Sequence, residues 1–470
     1  MAIVSALLLG VVGALDLAGP VATAAPPNVL IIVTDDQRAV DTMWVMPKTR
    51  KRFVGQGVRY SRGFATTPLC CPSRATILTG RYAHNTGVHS NGPLRALDRT
   101  TMFPRLLRNA GYRTAMVGKL LNSWPMTTAP PYFDRWALAG GKRGRPPVGR
   151  PPQPNLDPTF NVNGTIKTVP GYSTTLVGNF AIRFLHRFEK RDAAPWFLYV
   201  APMAPHFPWT AEARYRNAPL PAWNGNPAVF EGDRSDKPPS FRNIYYGLAD
   251  GRLVRTGQLR ALMSVDDMVG RIFATLHELG ETRRTLAFFL SDNGYLWADH
   301  HLGGDNETAG QKLLPYTDSV RVPFFVRWPG HLRPGTRDGR LTGNVDIAPT
   351  VLEAAGIPPD PSKPPLDGRS LLAPDARSRI LLERWREGLH TWVPTWASLR
   401  TRRYQYIEYY ADDGSRFFRE YYNLRHDPWQ LRNLLHDGNP GNDPNVAPLR
   451  RQLAADRHCS GTGLGPNACP

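Results

Sequence analysis

Five short apolar runs punctuate the chain, and four of them break off at polar residues suited to chemistry. Val29 to Val33 is a β-branched run that reads as a strand buried on both faces, and it leads into Thr34, Asp35 and Asp36. Tyr112 to Val117 follows a helix closed by Gly111 and ends at Gly118 and Lys119. Trp196 to Val200 leads to Ala204, Pro205 and His206, and Leu286 to Leu290 leads to Ser291, Asp292, Asn293 and Gly294. Val322 to Trp328 reads as a further core strand. Between these runs, Leu176, Phe180, Phe184 and Phe188 recur at helical spacing beside Val177, Ala181 and Leu185. Leu259 to Leu279 repeats the pattern and is closed by Gly280. Strands alternating with amphipathic helices predict an α/β fold, with a large, mostly parallel central sheet flanked by helices. Sites in such sheets form beyond the carboxyl ends of the strands. Asp35, Asp36, Lys119, His206, Asp292 and Asn293 all fall there.

The composition then changes. Gly140 to Pro154 is rich in Pro, Gly and Arg and reads as a surface loop, and Pro358 to Pro365 as the run-out of the main domain. From Arg379 onward Trp, Tyr and Arg dominate; Tyr404 to Tyr410, Asp413-Gly414 and Phe417 to Tyr422 predict a small C-terminal antiparallel sheet subdomain. The expected division is an export signal over 1–25, a main domain over 26–378 and a C-terminal subdomain with a tail over 379–470.

The signal rests on the apolar run Ala6 to Val12 and the small-x-small pattern Ala22-Thr23-Ala24. No Lys or Arg precedes that run and Asp16 lies just behind it. A start codon assigned too far downstream accounts for the first departure; a buried N-terminal helix is the alternative reading. Export places the protein outside the cytoplasm. No later stretch reaches the ~20 apolar residues that cross a bilayer, so stable membrane insertion is not expected. Hydrophobic residues at 41% and charged residues at 21% exclude wholesale disorder. Lys and Arg number 58 against 39 Asp and Glu, a net charge of +19. That excess fits an anionic partner such as nucleic acid, an acidic polysaccharide or a sulfated glycan, and equally a genome-wide bias toward Arg and Pro. No basic run interleaved with aromatics marks a nucleic-acid surface, so nucleic acid is not an expected partner. Cys459 and Cys469 sit in a Gly-rich tail that can close as a disulfide loop in an oxidising compartment, whereas adjacent Cys70 and Cys71 suit no structural bridge.

The densest signal is Cys70-Cys71-Pro72-Ser73-Arg74 with Thr79-Gly80 behind it. It resembles the signature of the sulfatase family, Cys-x-Pro-Ser-Arg followed by four residues and Thr-Gly. The resemblance continues through Asp35-Asp36-Gln37, Gly118-Lys119, Ala204-Pro205-His206, Asp292-Asn293-Gly294, Lys312 with Tyr316, and Arg321-Val322-Pro323. It implies an alkaline-phosphatase-like fold and a maturation enzyme that oxidises Cys70 to formylglycine, Cys71 filling the variable place. The hard oxygen donors of Asp35, Asp36, Asp292 and Asn293 suit Ca²⁺ or Mg²⁺ better than zinc. The resemblance implies calcium, with an oxygen of the modified Cys70 as a further ligand. It also implies a mechanism: the hydrated aldehyde attacks sulfur through one hydroxyl, and the other later expels sulfate. Arg74 then holds the modified residue, while Lys119, His206 and Lys312 bind the sulfate oxygens and the leaving oxygen.

Two departures bear on the chemistry. Leu121 stands where many sulfatases carry a His two residues after the Lys, which leaves His206 and His300 as candidates for the general acid. The stretch Gly303 to Thr308 reads as an insertion at the rim of the site. Gly118 to Asn122, the paired cysteines and Ala204 to Trp209 resemble the N-acetylglucosamine-6-sulfatase branch, which implies a sulfated carbohydrate such as N-acetylglucosamine-6-sulfate as substrate. Trp209 is then a candidate to stack on the sugar, plain core packing being the other reading. The competing functions are a generic arylsulfatase, a formylglycine-dependent phosphonate or phosphodiester hydrolase, and an unmatured secreted glycan-binding protein.

Overall fold

The apolar runs form the middle of a ten-stranded sheet in a computed structural model that describes residues 25–140, 156–302, 311–374, 376–388, 391–463 and 467–470. Its strands are β1 (Asn28–Thr34), β2 (Val58–Phe64), β3 (Arg113–Gly118), β4 (Arg135–Ala139), β5 (Thr159–Val162), β6 (Thr165–Thr168), β7 (Trp196–Ala201), β8 (Thr285–Ser291), β9 (Phe324–Arg327) and β10 (Thr336–Gly343). They lie in the order β10-β2-β9-β8-β1-β7-β3-β4-β5-β6. The central neighbours β8, β1, β7, β3 and β4 are parallel, as are β2 and β10. Strand β9 runs antiparallel between β8 and β2, and β5 and β6 close the far margin antiparallel. The sheet is therefore mixed, with a parallel heart.

Burial on both faces explains the unbroken apolar run of β1. Val29, Ile31 and Val33 enter one core, while Leu30 and Ile32 enter the other. The first core is covered by α1 (Cys70–Thr79), α2 (Phe103–Asn109) and, further along the chain, the helix Ile347–Ala354. The second is covered by α3 (Ser173–Glu189) and α4 (Leu248–Glu278), whose apolar stripes meet. Helix α4 begins well before Leu259 because its early turns bury polar side chains with partners. Arg255 reaches Asp41 Oδ2 at 3.1 Å, and Gln258 donates to Asp36 O at 3.0 Å.

A separate antiparallel sheet follows, β11 (Arg379–Arg384), β12 (Thr395–Thr401), β13 (Tyr404–Tyr410) and β14 (Arg416–Asn423), in that spatial order. A disulfide joins Cys459 and Cys469 behind it. The expected export signal up to Ala24, the Gly140 to Pro154 loop from Gly141 onward and the Gly303 to Thr308 segment lie outside the described residues. No helix among the described residues is long and apolar enough to cross a membrane.

Candidate active site

Parallel pairing sets the first acidic groups side by side. Thr34 at the end of β1 faces Ser291 at the end of β8, so Asp35, Asp36, Asp292 and Asn293 emerge together. Asp292 N donates to Thr34 O at 3.0 Å, and Asp36 N donates to Asp292 Oδ1 at 3.1 Å. Asp36 holds a left-handed φ of 68°, a conformation that costs a non-glycine residue about 1 kcal/mol or more and is common at functional sites. At the end of β3 only glycine fits: a Cβ on Gly118 would lie 2.0 Å from Ala201 O, and its φ is 98°. This close approach turns the chain so that Lys119 enters the same space.

Helix α1 brings the nucleophile candidate from below. Cys70 occupies its first turn, fully buried, with Sγ 3.5 Å from Asp35 Oδ1 and 3.4 Å from Lys312 Nζ. Lys119 Nζ donates to Asp35 Oδ2 at 2.5 Å, and Lys312 Nζ to both oxygens of Asp36 at 2.7 and 2.9 Å. Arg74, one turn along α1, donates from Nε to Asp292 Oδ2 at 2.7 Å and from Nη1 to Lys119 O at 2.8 Å. His206 Nε2 lies 3.7 Å from Asp36 Oδ2. Its Nδ1 is 2.8 Å from Phe207 O, an oxygen that only accepts, so Nδ1 carries a proton and Nε2 faces the site.

Three carboxylates thus meet three permanent cations around one thiol. Burial alone would raise Asp35, but Lys119, His206 and Arg74 outweigh it and hold its carboxyl well below the usual range. Burial, with the Asp35 charge added, pushes the Cys70 thiol up, so the encoded side chain is a poor nucleophile as it stands. Asp35, Asp36, Cys70 and His206 present ligand atoms within 4.8 Å of one another. Asn293 Oδ1 is buried without a hydrogen-bond partner, while its Nδ2 donates to Asp36 Oδ1 at 2.7 Å. An orphaned carbonyl oxygen beside three carboxylates is the donor set of a hard divalent cation.

The sulfatase family pattern matches residues 27–357, and the pattern for the C-terminal part of N-sulphoglucosamine sulphohydrolase matches residues 310–458. The chain belongs to the sulfatase family. It is a sulfuric ester hydrolase of a family generally dependent on formylglycine and a divalent metal. Human N-acetylglucosamine-6-sulfatase is 29% identical across 92% of this chain and 85% of its own length. A Sulf-1 homolog of Caenorhabditis elegans, named an extracellular sulfatase, is 34% identical across 73% of this chain, which spans only 48% of that longer protein. Among solved structures, a protein in complex with its substrate D-glucosamine-2-N,6-O-disulfate superposes with a TM-score of 0.75 at 22% identity, covering 91% of this chain and 96% of that one.

Two residues singled out from the sequence of this sulfatase stand apart from the cluster. His300 Nδ1 pairs with Glu231 Oε2 at 2.8 Å, and its ring packs on Tyr316 with centroids 4.2 Å apart. Trp209 is 7% exposed and sits edge-on against Phe207 and Tyr295, with its Cβ filling the space beside Gly257. Trp209 is core packing, the second of the two readings that its position in the sequence left open. Other residues of the site carry no signal in an isolated sequence. Asn91 Oδ1 accepts from Cys71 N at 2.9 Å, Asn344 Nδ2 donates to Ser73 Oγ at 2.9 Å, and Gln258 links Asp36 O to Trp297. Each is a single amide on a separate element.

Proposed function

We propose that this sulfatase hydrolyses the sulfate ester of 6-O-sulfated amino sugars, N-acetylglucosamine-6-sulfate being the reference compound, with Cys70 matured to formylglycine and calcium, or else magnesium, at the acidic cluster. The observation that carries this is Cys70 itself, held in Cys-x-Pro-Ser-Arg between Asp35 at 3.5 Å and Lys312 at 3.4 Å. Asp35, Asp36, Asp292 and Asn293 would hold the cation. The matured side chain and the cation together supply a hydroxyl acidic enough to attack sulfur at neutral pH.

The remaining work falls to the chain's own side chains. Arg74, anchored to Asp292 Oδ2 and Lys119 O, fixes the first turn of α1. Lys119 and Lys312 place ammonium groups where sulfate oxygens gain charge. With three carboxylates already matched by Lys119, Lys312 and Arg74, a bound divalent ion would leave the pocket positive toward an anionic ester. His206 faces the pocket through Nε2 and, when protonated, gives its proton to the leaving sugar oxygen. His300 is engaged with Glu231 and is not assigned that step.

The sugar class rests on the human relative's name and its coverage of most of both chains. Action outside the cytoplasm, after processing by a formylglycine-generating partner, is supported by the relative named extracellular and by the Cys459–Cys469 disulfide. The division into 26–378 and 379–470 is proposed as well, since the second sheet starts at Arg379. Comparative kinetics test the substrate. Catalytic efficiency on N-acetylglucosamine-6-sulfate is expected to exceed that on nitrophenyl sulfate once leaving-group reactivity is allowed for. An aryl preference that survives that correction overturns the sugar assignment.

A further inference from the structure

The edge formed by β10 and β2 carries arginines that face one another. Arg59 and Arg337 stand directly opposite across the β2–β10 ladder. Like charges at opposed positions on paired strands repel. Further along, two guanidiniums converge on one oxygen: Arg62 Nη1 donates to Gly339 O at 2.8 Å, and Arg402 Nε donates to the same atom at 3.1 Å. Arg402 belongs to the turn between β12 and β13, so the cluster joins the two sheets. Arg321, bridged to Phe64 at the end of β2, completes it, with Asp318 Oδ1 3.4 Å away.

Among the described residues, none of Arg59, Arg62, Arg337 and Arg402 has a carboxylate partner. Arg340 on the same strand shows the contrast, since its Nε donates to Asp338 Oδ2 at 2.7 Å. Burial, then the charges of Arg337, Arg321 and Arg50, hold the Arg59 guanidinium below its ordinary range; burial, then Arg402, Arg337 and Arg321, do the same to Arg62. Arg59, Arg337 and Arg402 are exposed. Mutual repulsion of this kind is relieved by an anion, and a guanidinium fork suits the paired oxygens of a sulfate.

We infer that this edge is an exosite that holds the anionic groups of a polymeric sulfated glycan while one of its esters reacts at the strand ends. Strands β2 and β10 run in the same direction as β1, so their carboxyl ends open on the side where Asp35 and Asp292 lie. From Arg59 to Phe64 the strand rises roughly 17 Å at about 3.3 Å per residue, longer than one sugar. A single-stranded nucleic acid is the poorer fit, because base stacking needs exposed aromatics. The exposed aromatics Trp44, Phe230, Tyr245 and Phe417 lie on other elements. The inference rests on the proposed sugar substrate only in taking that sugar to be part of a chain.

The test compares the matured wild-type protein with the triple variant Arg59→Ser/Arg337→Ser/Arg402→Ser, and with Arg450→Ser/Arg451→Ser as a control for exposed arginines elsewhere. Heparin is the binding probe and duplex DNA the competitor. In the triple variant, heparin affinity at 150 mM salt is expected to fall roughly tenfold or more, with a shallower salt dependence. KM on a sulfated polysaccharide should rise, while kcat and KM on N-acetylglucosamine-6-sulfate stay unchanged. Wild-type heparin affinity in the triple variant, or an equal loss in the control, overturns the exosite. Duplex DNA bound as tightly as heparin and lost in the same variant also overturns it, in favour of a generic cationic face. Wild-type protein that binds heparin through this edge but never turns over the small ester supports the exosite and counts against the proposed substrate.

Discussion

Of the buried ionisable clusters among the described residues of this sulfatase, the one at the strand ends and the one around Glu420 are built on opposite plans. At the strand ends Asp35, Asp36 and Asp292 are matched by Lys119, Lys312 and Arg74, and the charges converge on Cys70. Behind the second sheet, Glu420 is met by hydroxyls: Tyr316 donates to Oε1 at 3.1 Å and Tyr409 to Oε2 at 2.8 Å. Lys237, the nearby cation, instead contacts Glu231 at 3.0 Å and Asp236 at 2.9 Å. Asp35 is held far below the carboxylate range, whereas burial, with Lys237 opposing it, pushes Glu420 up to about 7. A carboxylate that must stay charged at a reaction centre needs cations beside it; one that ties the second sheet to the segment carrying Tyr316 can keep its proton. The first arrangement is chemistry and the second is a cross-link.

The sharpest way to break that contrast is Cys70→Ala, expected to cut turnover roughly a thousandfold or more with the circular dichroism spectrum unchanged. Cys71→Ala, which loses its thiol's contact with Asn122 and some core packing, is expected to stay within about tenfold of wild type. Equal losses in the two variants would erase the distinction between them. Next comes Asp292→Ala. It leaves the buried Arg74 charge with only the longer 3.6 Å contact to Asp35 Oδ2, so unfolding free energy should fall by about 3 kcal/mol and activity roughly a hundredfold. Chelation should remove activity, and elemental analysis of the matured protein should find calcium or magnesium; stoichiometric zinc without a hard cation contradicts the proposed metal.

Glu420→Gln probes the other plan. The folded protein keeps a proton on Glu420 up to about pH 7, whereas an unfolded Glu releases it near 4.5. That stabilising contribution is whole below the unfolded value and is lost as pH rises through the folded one, about 3 kcal/mol in all. Urea unfolding at pH 5 and pH 8 should show a smaller difference in the variant, with turnover per folded molecule unchanged. Loss of turnover would place Glu420 in the chemistry after all. The smallest effect is expected at His84, whose Nδ1 lies 2.9 Å from Glu383 Oε2. Burial opposes its charge, but Glu383 outweighs burial and raises it to about 9. Stability from this pair is complete below about 6.5 and lost as pH climbs through 9, so His84→Gln should lower stability near neutrality by about 2 kcal/mol and flatten its alkaline decline.

The parallel heart of the fold was legible because β1, β3, β7 and β8 are buried on both faces and so read as apolar runs. The margins were not. Strand β2 carries Arg59 and Arg62, and β10 carries Arg337, Asp338 and Arg340, so neither shows the pattern of a buried strand. The direction of β9 cannot be read from periodicity at all, since an apolar run looks the same either way. Within the site, residues following strands or belonging to the cysteine motif were legible. Gln258, on α4, reaches Asp36 only through tertiary packing. The pairing of His300 with Glu231 was not legible for the same reason, Glu231 lying far away in the sequence. Trp209 lies three residues after His206, yet it turns into the core, and sequence nearness could not show that.

The central claim is that the nucleophile is made from Cys70. It is tested most directly by the mass of the proteolytic peptide containing Cys70, taken from protein that shows sulfatase turnover. The expected peptide is about 18 Da lighter than the encoded one, with the change localised to residue 70. Fully active protein whose Cys70 is unmodified, or a change found at Cys71 instead, would contradict the account.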